Sequence, residues 1–145
     1  MGAWGHQTFE DDCALDWVYD FESKKDKRLF LKDTFQGIID RRDDELETDE
    51  GSWVLAAAEV LAALKGFPPK VFPAELAAWV AQNLAPVEPD QIAQALEAIA
   101  IIKNPETSEL AALWEEAEDG EWPNAVAELE ARLQSLSLSQ PVEVA

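Results

Sequence analysis

Residues 52–65 read SWVLAAAEVLAALK, the most strongly apolar helical stretch of the chain. A helical wheel puts side chains such as Val60 and Leu64 on one face, and Leu55 with several alanines on the opposite face. A helix that is apolar on every side is typical of a central, buried position. Gly66 follows directly and favours a left-handed C-cap. The stretch therefore predicts a buried helix over Ser52–Lys65.

Glu59 is the single charge inside this apolar helix, and two interpretations of it stand side by side. If the helix is covered on every side, the carboxylate is desolvated and needs a partner. If the alanine face is a thin strip at the surface, Glu59 points into water. Because buried carboxylates are rare, the sequence favours the exposed position.

Six further segments carry apolar residues at helical spacing, and none of them shows the strict alternation of a half-buried strand. The predicted helices are Asp12–Glu22, Asp26–Arg41, Pro73–Leu84, Pro89–Lys103, Pro105–Asp119 and Pro123–Leu136. Four of these begin at a proline, which is favoured in the first turn of a helix. The segment Asp43–Glu50 has six acids in eight positions, so we expect a solvated loop there.

The pattern predicts an all-α protein, a single compact bundle of about six to seven helices. A chain of 145 residues suits one domain. We expect residues 1–137 to form that domain and residues 138–145 to be a loose C-terminal tail.

The charge of the chain excludes several classes of function. Thirty acids against eleven bases give a formal net charge of -19, which repels nucleic acid and anionic membrane surfaces and attracts basic partners.

The longest apolar stretch, Trp53–Leu64, is 12 residues long and too short to span a bilayer. The N-terminus lacks the basic and apolar regions of a secretory signal, so we expect a cytoplasmic protein without membrane contact.

No group of residues in the sequence predicts catalysis. The single cysteine and single histidine, Cys13 and His6, exclude a disulfide framework and two-histidine metal motifs, and nothing orients His6 as a base. The acidic pairs within Glu47–Glu50 and Glu116–Asp119 lie too far apart for the helical hairpin of a magnesium pyrophosphohydrolase. We therefore predict no enzyme activity, no catalytic residue, no cofactor and no metal site.

Asp12, Asp16 and Asp20 repeat every four residues and form one acidic stripe on the first helix. Such a stripe could hold a hard cation or a basic side chain of a partner. A solvated helix face opposite the apolar stripe is the simpler interpretation, and the sequence favours it.

Six tryptophans are many for a chain of this size, and they stand at positions 4, 17, 53, 79, 114 and 122. Trp17, Trp53 and two others fit the apolar stripes of their helices and are predicted in the core. Trp4 and Trp122 lie outside these stripes, where they either pack over the bundle ends or anchor a protein interface. Packing is the favoured interpretation for both.

The chain opens with MGAWG at residues 1–5, and Ala14–Trp17 follows shortly after. Together with the blocks Ala56–Val60 and Ser108–Glu115, this opening resembles a bacterial family of small acidic proteins that begin Met-Gly-x-Trp-Gly, a domain of unknown function. The resemblance implies a stand-alone helical domain and supplies no catalytic residue.

These observations favour a non-enzymatic acidic protein that docks a basic protein partner, as an immunity-like or regulatory interaction module. Solubility alone explains the charge equally well. The alternative function is a small-ligand or cation-binding bundle centred on Glu59 and the Asp12–Asp20 stripe. The identity of the partner and the oligomeric state stay open at this point.

Overall fold

Seven α-helices make up the described part of the chain in the computed structural model, which covers residues 9, 12–70, 72–83, 87–117 and 120–135. They are α1 (Asp12–Ser23), α2 (Lys27–Ile39), α3 (Thr48–Leu64), α4 (Ala74–Gln82), α5 (Pro89–Ile102), α6 (Glu109–Ala117) and α7 (Glu121–Gln134). The described residues contain no β-strand, and the predicted all-α fold is confirmed. None of these helices is long and apolar enough to cross a membrane. Residues 138–145, expected to form a tail, lie outside the described residues.

Helix α3 is the centre of the bundle, and all six other helices pack against it. Every residue from Val54 to Leu64 is buried, so the predicted central helix is confirmed. Burial of one large side chain such as Leu61 stabilises the fold by roughly 1.5–3 kcal/mol, and α3 contributes several of them. The alanines between them are small enough for neighbouring helices to approach from every side.

Helix α3 begins at Thr48, four residues earlier than predicted from Ser52. Glu47 and Glu50 form a capping box, in which each side chain accepts a hydrogen bond from the backbone of the other. Carboxylates in the first turn also favour the positive end of the helix dipole. The acids at positions 47, 49 and 50 therefore cap or begin the helix, whereas residues 43–45 are exposed and lie outside it, as predicted for the loop.

Leu46 lies in the segment predicted to be solvated, but it is buried, with 1% of its surface exposed. Its N–H donates to the Thr107 carbonyl at 2.8 Å, and its own carbonyl accepts from the Glu109 N–H at 2.9 Å. This single parallel bridge ties the start of α3 to the start of α6.

The C-terminus of α3 follows the prediction. Gly66 adopts φ 101°, the left-handed region that favours glycine. The Gly66 N–H donates to the Ala63 carbonyl at 2.9 Å, and the Phe67 N–H donates to the Ala62 carbonyl at 3.0 Å. These two bonds are the Schellman motif, which satisfies carbonyls that the helix leaves free.

Three of the four prolines predicted to open helices lie at helix starts. Pro89 is the first residue of α5 as predicted, Pro73 is the N-cap of α4, and Pro123 is the third residue of α7. Amides of the first turn have no acceptor within the helix, so proline is tolerated at each of these positions. Pro105 was expected to open a helix but lies in a turn, and α6 begins after Ser108, whose hydroxyl accepts a backbone N–H of the first turn.

Candidate functional site

Helices α1, α2 and α3 enclose a groove of about 330 Å³. This volume lies at the small end of ligand sites, which span roughly 300–1,000 Å³. Its uncharged lining is Trp17, Phe30, Thr34, Gly37, Ile38 and Trp53, and its charged lining is Asp20, Asp33, Arg41 and Glu50. We call this feature the aromatic groove.

The floor of the aromatic groove is held in place by ring stacking and hydrogen bonds. Trp17 stacks on Phe21 and Phe30 with ring centroids 5.1 and 5.4 Å apart. The Trp17 Nε1–H donates to Thr34 Oγ1 at 3.1 Å, and the Thr34 hydroxyl donates to the Phe30 carbonyl at 2.9 Å. Trp17 is buried as predicted, and its indole is fixed before any ligand arrives.

Trp53 forms another wall of the groove, although the sequence predicts it in the core. The residue is 38% exposed, although Ser52 before it and Val54 after it are both buried. A helical wheel assigns Trp53 to an apolar face but does not show where the neighbouring helices stop covering that face. The core prediction is therefore wrong for Trp53.

Carboxylates outnumber cations around the groove. Arg41 Nη1 donates to Glu50 Oε1 at 2.5 Å, and this carboxylate raises the pKa of the Arg41 guanidinium. The Arg41–Glu50 pair is thereby neutralised. Among the residues that the structure describes, no basic side chain forms an ion pair with Asp20 or Asp33. The groove thus presents two carboxylates without an ion-pair partner among the described residues, beside the exposed indole of Trp53, and Lys24 Nζ lies 5.1 Å from the centroid of its Phe30 ring.

Asp12, Asp16 and Asp20 of the acidic stripe are all exposed, and only Asp20 lines the groove. Within the described residues, no group of three or more acidic, cysteine or histidine side chains is placed to hold a metal ion. Tyr19, on the same helix, is 78% exposed. Helix α1 therefore offers a tyrosine and a line of carboxylates to solvent beside the groove.

Glu59 is not among the residues that line this groove, and the exposed position favoured by the sequence is wrong. The residue is 2% exposed. Its Oε1 accepts a hydrogen bond at 2.7 Å from Nη1 of Arg132, which α7 brings from 73 positions along the chain. The sequence gives no sign that Arg132 is this partner, because no local pattern connects it with α3.

The Arg132 guanidinium donates hydrogen bonds to three acceptors. It donates to the Phe67 carbonyl at 3.1 Å and to Glu128 Oε2 at 2.5 Å, in addition to Glu59. Burial alone would lower the pKa of the Arg132 guanidinium, but the Glu59 and Glu128 carboxylates outweigh this effect and raise it. The guanidinium is engaged within the fold, so this buried ion pair joins α3 to α7 and offers little to a ligand.

Lys65 is a second buried cation between the same helices. It is 6% exposed, and its Nζ donates to the Leu133 carbonyl of α7. Burial lowers the pKa of the Lys65 amine. The charges around α3 and α7 thus serve packing, in contrast to the carboxylates of the aromatic groove.

The remaining tryptophans differ in how deeply they are buried. Trp122 is 6% exposed and packs in the core, so the favoured packing interpretation is correct and Trp122 is not an exposed anchor. Trp79 and Trp114 are partly buried against the same core. Trp4 and His6 lie outside the described residues.

The fold and the groove define a small all-α domain with a buried ion-pair network between α3 and α7 and an acidic groove between α1, α2 and α3. The chain belongs to the DUF4259 family, a domain of unknown function, whose family model matches residues 2–125. This match confirms the resemblance at the level of a domain of unknown function. Every residue of the aromatic groove lies inside the matched range, and Arg132 lies beyond it. No curated protein and no solved structure matches the chain.

Proposed function

We propose that this chain is a non-enzymatic interaction module that docks a basic protein partner through the aromatic groove and the adjoining Asp12–Asp20 stripe. The observation that carries the proposal is the position of Asp20 and Asp33, two carboxylates without an ion-pair partner among the described residues, in the same groove as the exposed indole of Trp53. Aromatic side chains are enriched where interfaces concentrate their binding energy, and the surrounding charge selects the partner.

The net charge of -19 also supports the proposal, because its electric field acts over longer distances than the contacts in the groove. Such a field accelerates the encounter with a basic protein and repels nucleic acid. We infer an immunity-like or regulatory role in the cytoplasm of a bacterium. The groove lining combines rings and aliphatic groups with carboxylates, a set that suits the stem and the charged end of a basic side chain.

The size of the groove favours a second candidate, a small-ligand or cation-binding bundle. A groove of about 330 Å³ suits a small cationic molecule as well as one side chain. A thermal-shift screen of metal ions and cationic metabolites tests this candidate. Stabilisation by a free metabolite, without any protein partner, would favour it over docking.

The experiment for docking is capture of partners from the host lysate, washed at about 50 mM and about 500 mM salt. The screening length falls from roughly 14 to roughly 4 Å between these washes, so contacts made by surface charge are released. We expect a basic protein that is retained in the first wash and lost in the second.

A matched pair of triple variants tests where on the surface the partner binds. Asp12, Asp16 and Asp20 are changed to asparagine in one variant, and three exposed acids elsewhere, Glu106 with the pair Glu115–Glu116, are changed to glutamine in the other. Both variants lose three negative charges. Retention should fail in the first variant and persist in the second. Equal loss in both, or no partner at either salt concentration, would contradict the proposal.

A further inference from the structure

Gly37 borders the open space of the aromatic groove. It lies inside α2, where glycine destabilises a helix relative to alanine. A Cβ atom built on Gly37 meets nothing within 4 Å, and its backbone is not left-handed. Gly51 of α3 differs, because its Cβ would lie 2.8 Å from Leu110 Cδ2. Close packing explains Gly51, whereas at Gly37 the missing side chain leaves groove space open.

The open space at Gly37 has two kinds of wall. Indole and phenyl rings form the apolar part, and Asp20 of α1 with Asp33 of α2 supplies negative charge from two helices. An apolar ligand would desolvate these carboxylates without compensating them, which is unfavourable, and an anion would be repelled. A long cationic side chain matches both parts of the lining. Its methylene stem packs on aromatic carbon, and its charged end reaches the carboxylates.

We propose that the aromatic groove is the socket for one cationic side chain of the docked partner. Its stem packs over Gly37 against Trp53, and its charged end lies between Asp20 and Asp33. Arginine suits the socket better than lysine, because a planar guanidinium stacks on indole and presents several donors to the groove carboxylates. The inference rests on the proposed docking function and names the chemistry of the residue that docks.

The direct probe is the capped peptide acetyl-Gly-Arg-Gly-amide, titrated into the full chain while the tryptophan indole N–H signals are followed by NMR. Trp53 is assigned by the loss of its signal in Trp53→Phe. We expect the arginine peptide to shift this signal and the citrulline peptide, which keeps the shape without the charge, to bind about tenfold more weakly. Equal binding of the two peptides, or an unmoved Trp53 signal, would overturn the inference.

Two matched pairs of variants locate the binding. Gly37→Leu fills the groove and leaves the net charge unchanged, and it should weaken the arginine peptide about tenfold, while Gly37→Ala stays within about twofold of the parent chain. Asp20→Asn should weaken binding about fivefold, and Asp16→Asn, outside the groove on the same helix, should leave it nearly unchanged. The Asp20→Asn and Asp16→Asn pair keeps the test valid even if leucine at position 37 disturbs α2.

Partner capture with the same variants separates this inference from the docking function. A salt-labile partner that Gly37→Leu and Asp20→Asn still retain would overturn the socket and leave the docking function standing. Arginine binding that Gly37→Leu blocks, without any salt-labile partner in the lysate, would overturn the docking function and support the cationic site. Loss of both peptide and partner in Gly37→Leu, with both retained in Gly37→Ala, is the expected result.

Discussion

Replacement of Arg132 by methionine removes the guanidinium that faces the buried Glu59 carboxylate. The Glu59 side chain is 3% exposed and the Arg132 side chain 14%, so the charge left behind is well shielded from water. Loss of one member of a buried pair costs roughly 3–5 kcal/mol. We expect Arg132→Met to lower the free energy of unfolding by about 3 kcal/mol, at the low end because the Arg132 site borders a surface groove.

A double-mutant cycle distinguishes the interaction energy of the Glu59–Arg132 pair from a general disruption of packing. Glu59→Gln keeps an acceptor for Arg132 and should cost about 1–2 kcal/mol. The double variant should lose about 2 kcal/mol less than the two single losses together, because no buried charge is then left without its counterpart. Urea unfolding, followed by circular dichroism and tryptophan fluorescence, measures each value.

Glu128→Gln is the matched control, because it removes a carboxylate from the same guanidinium at a 60% exposed position. It should cost less than about 1 kcal/mol, as exposed ion pairs do. If Arg132→Met costs no more than Glu128→Gln, or if the Glu59 and Arg132 losses simply add, the buried pair does not hold α3 to α7 as argued.

Three further predictions concern packing, capping and pH. Gly51→Ala should destabilise the chain by about 1–3 kcal/mol in urea, because the new Cβ would lie 3.1 Å from Leu110 Cβ, whereas Gly37→Ala should stabilise it by about 0.5–1 kcal/mol. The opposite order of the two unfolding midpoints would refute the packing argument. Ser108→Ala should cost about 1 kcal/mol through loss of the α6 cap, and Ser108→Asp should recover part of it, unlike a general packing defect. Burial lowers the pKa of Lys65 below its ordinary value of 10.5, so the unfolded chain binds the proton more strongly and stability should rise as pH increases toward 10.5. A Lys65→Met chain that shows the same rise would contradict that assignment.

Burial and bonding distinguish the two sets of charges in this molecule. Arg132 is engaged by Glu59, Glu128 and a carbonyl inside the fold, whereas Asp20 and Asp33 stand exposed beside aromatic rings. The first arrangement stabilises helix packing. The second is available to an external cation, and for this reason the proposed function is placed at the groove rather than at Glu59.

The sequence by itself determined the local structure, because helix formation depends on neighbours within a few positions. Apolar spacing was enough to predict the helices, Gly66 to predict the end of α3, and the apolar surround of Val54–Leu64 to predict its central position. Helix starts were less certain where acids act as caps, as at Glu47, since the same residues are also typical of loops.

Tertiary packing alone decided the charged and exposed groups. The partner of Glu59 lies 73 positions away, and no periodicity within one helix can indicate which side chain α7 will place against it. The exposure of Trp53 depends on where α1 and α2 stop covering α3, and the aromatic groove exists only between these three helices. Both features depend on the relative placement of whole helices, which a local pattern does not specify.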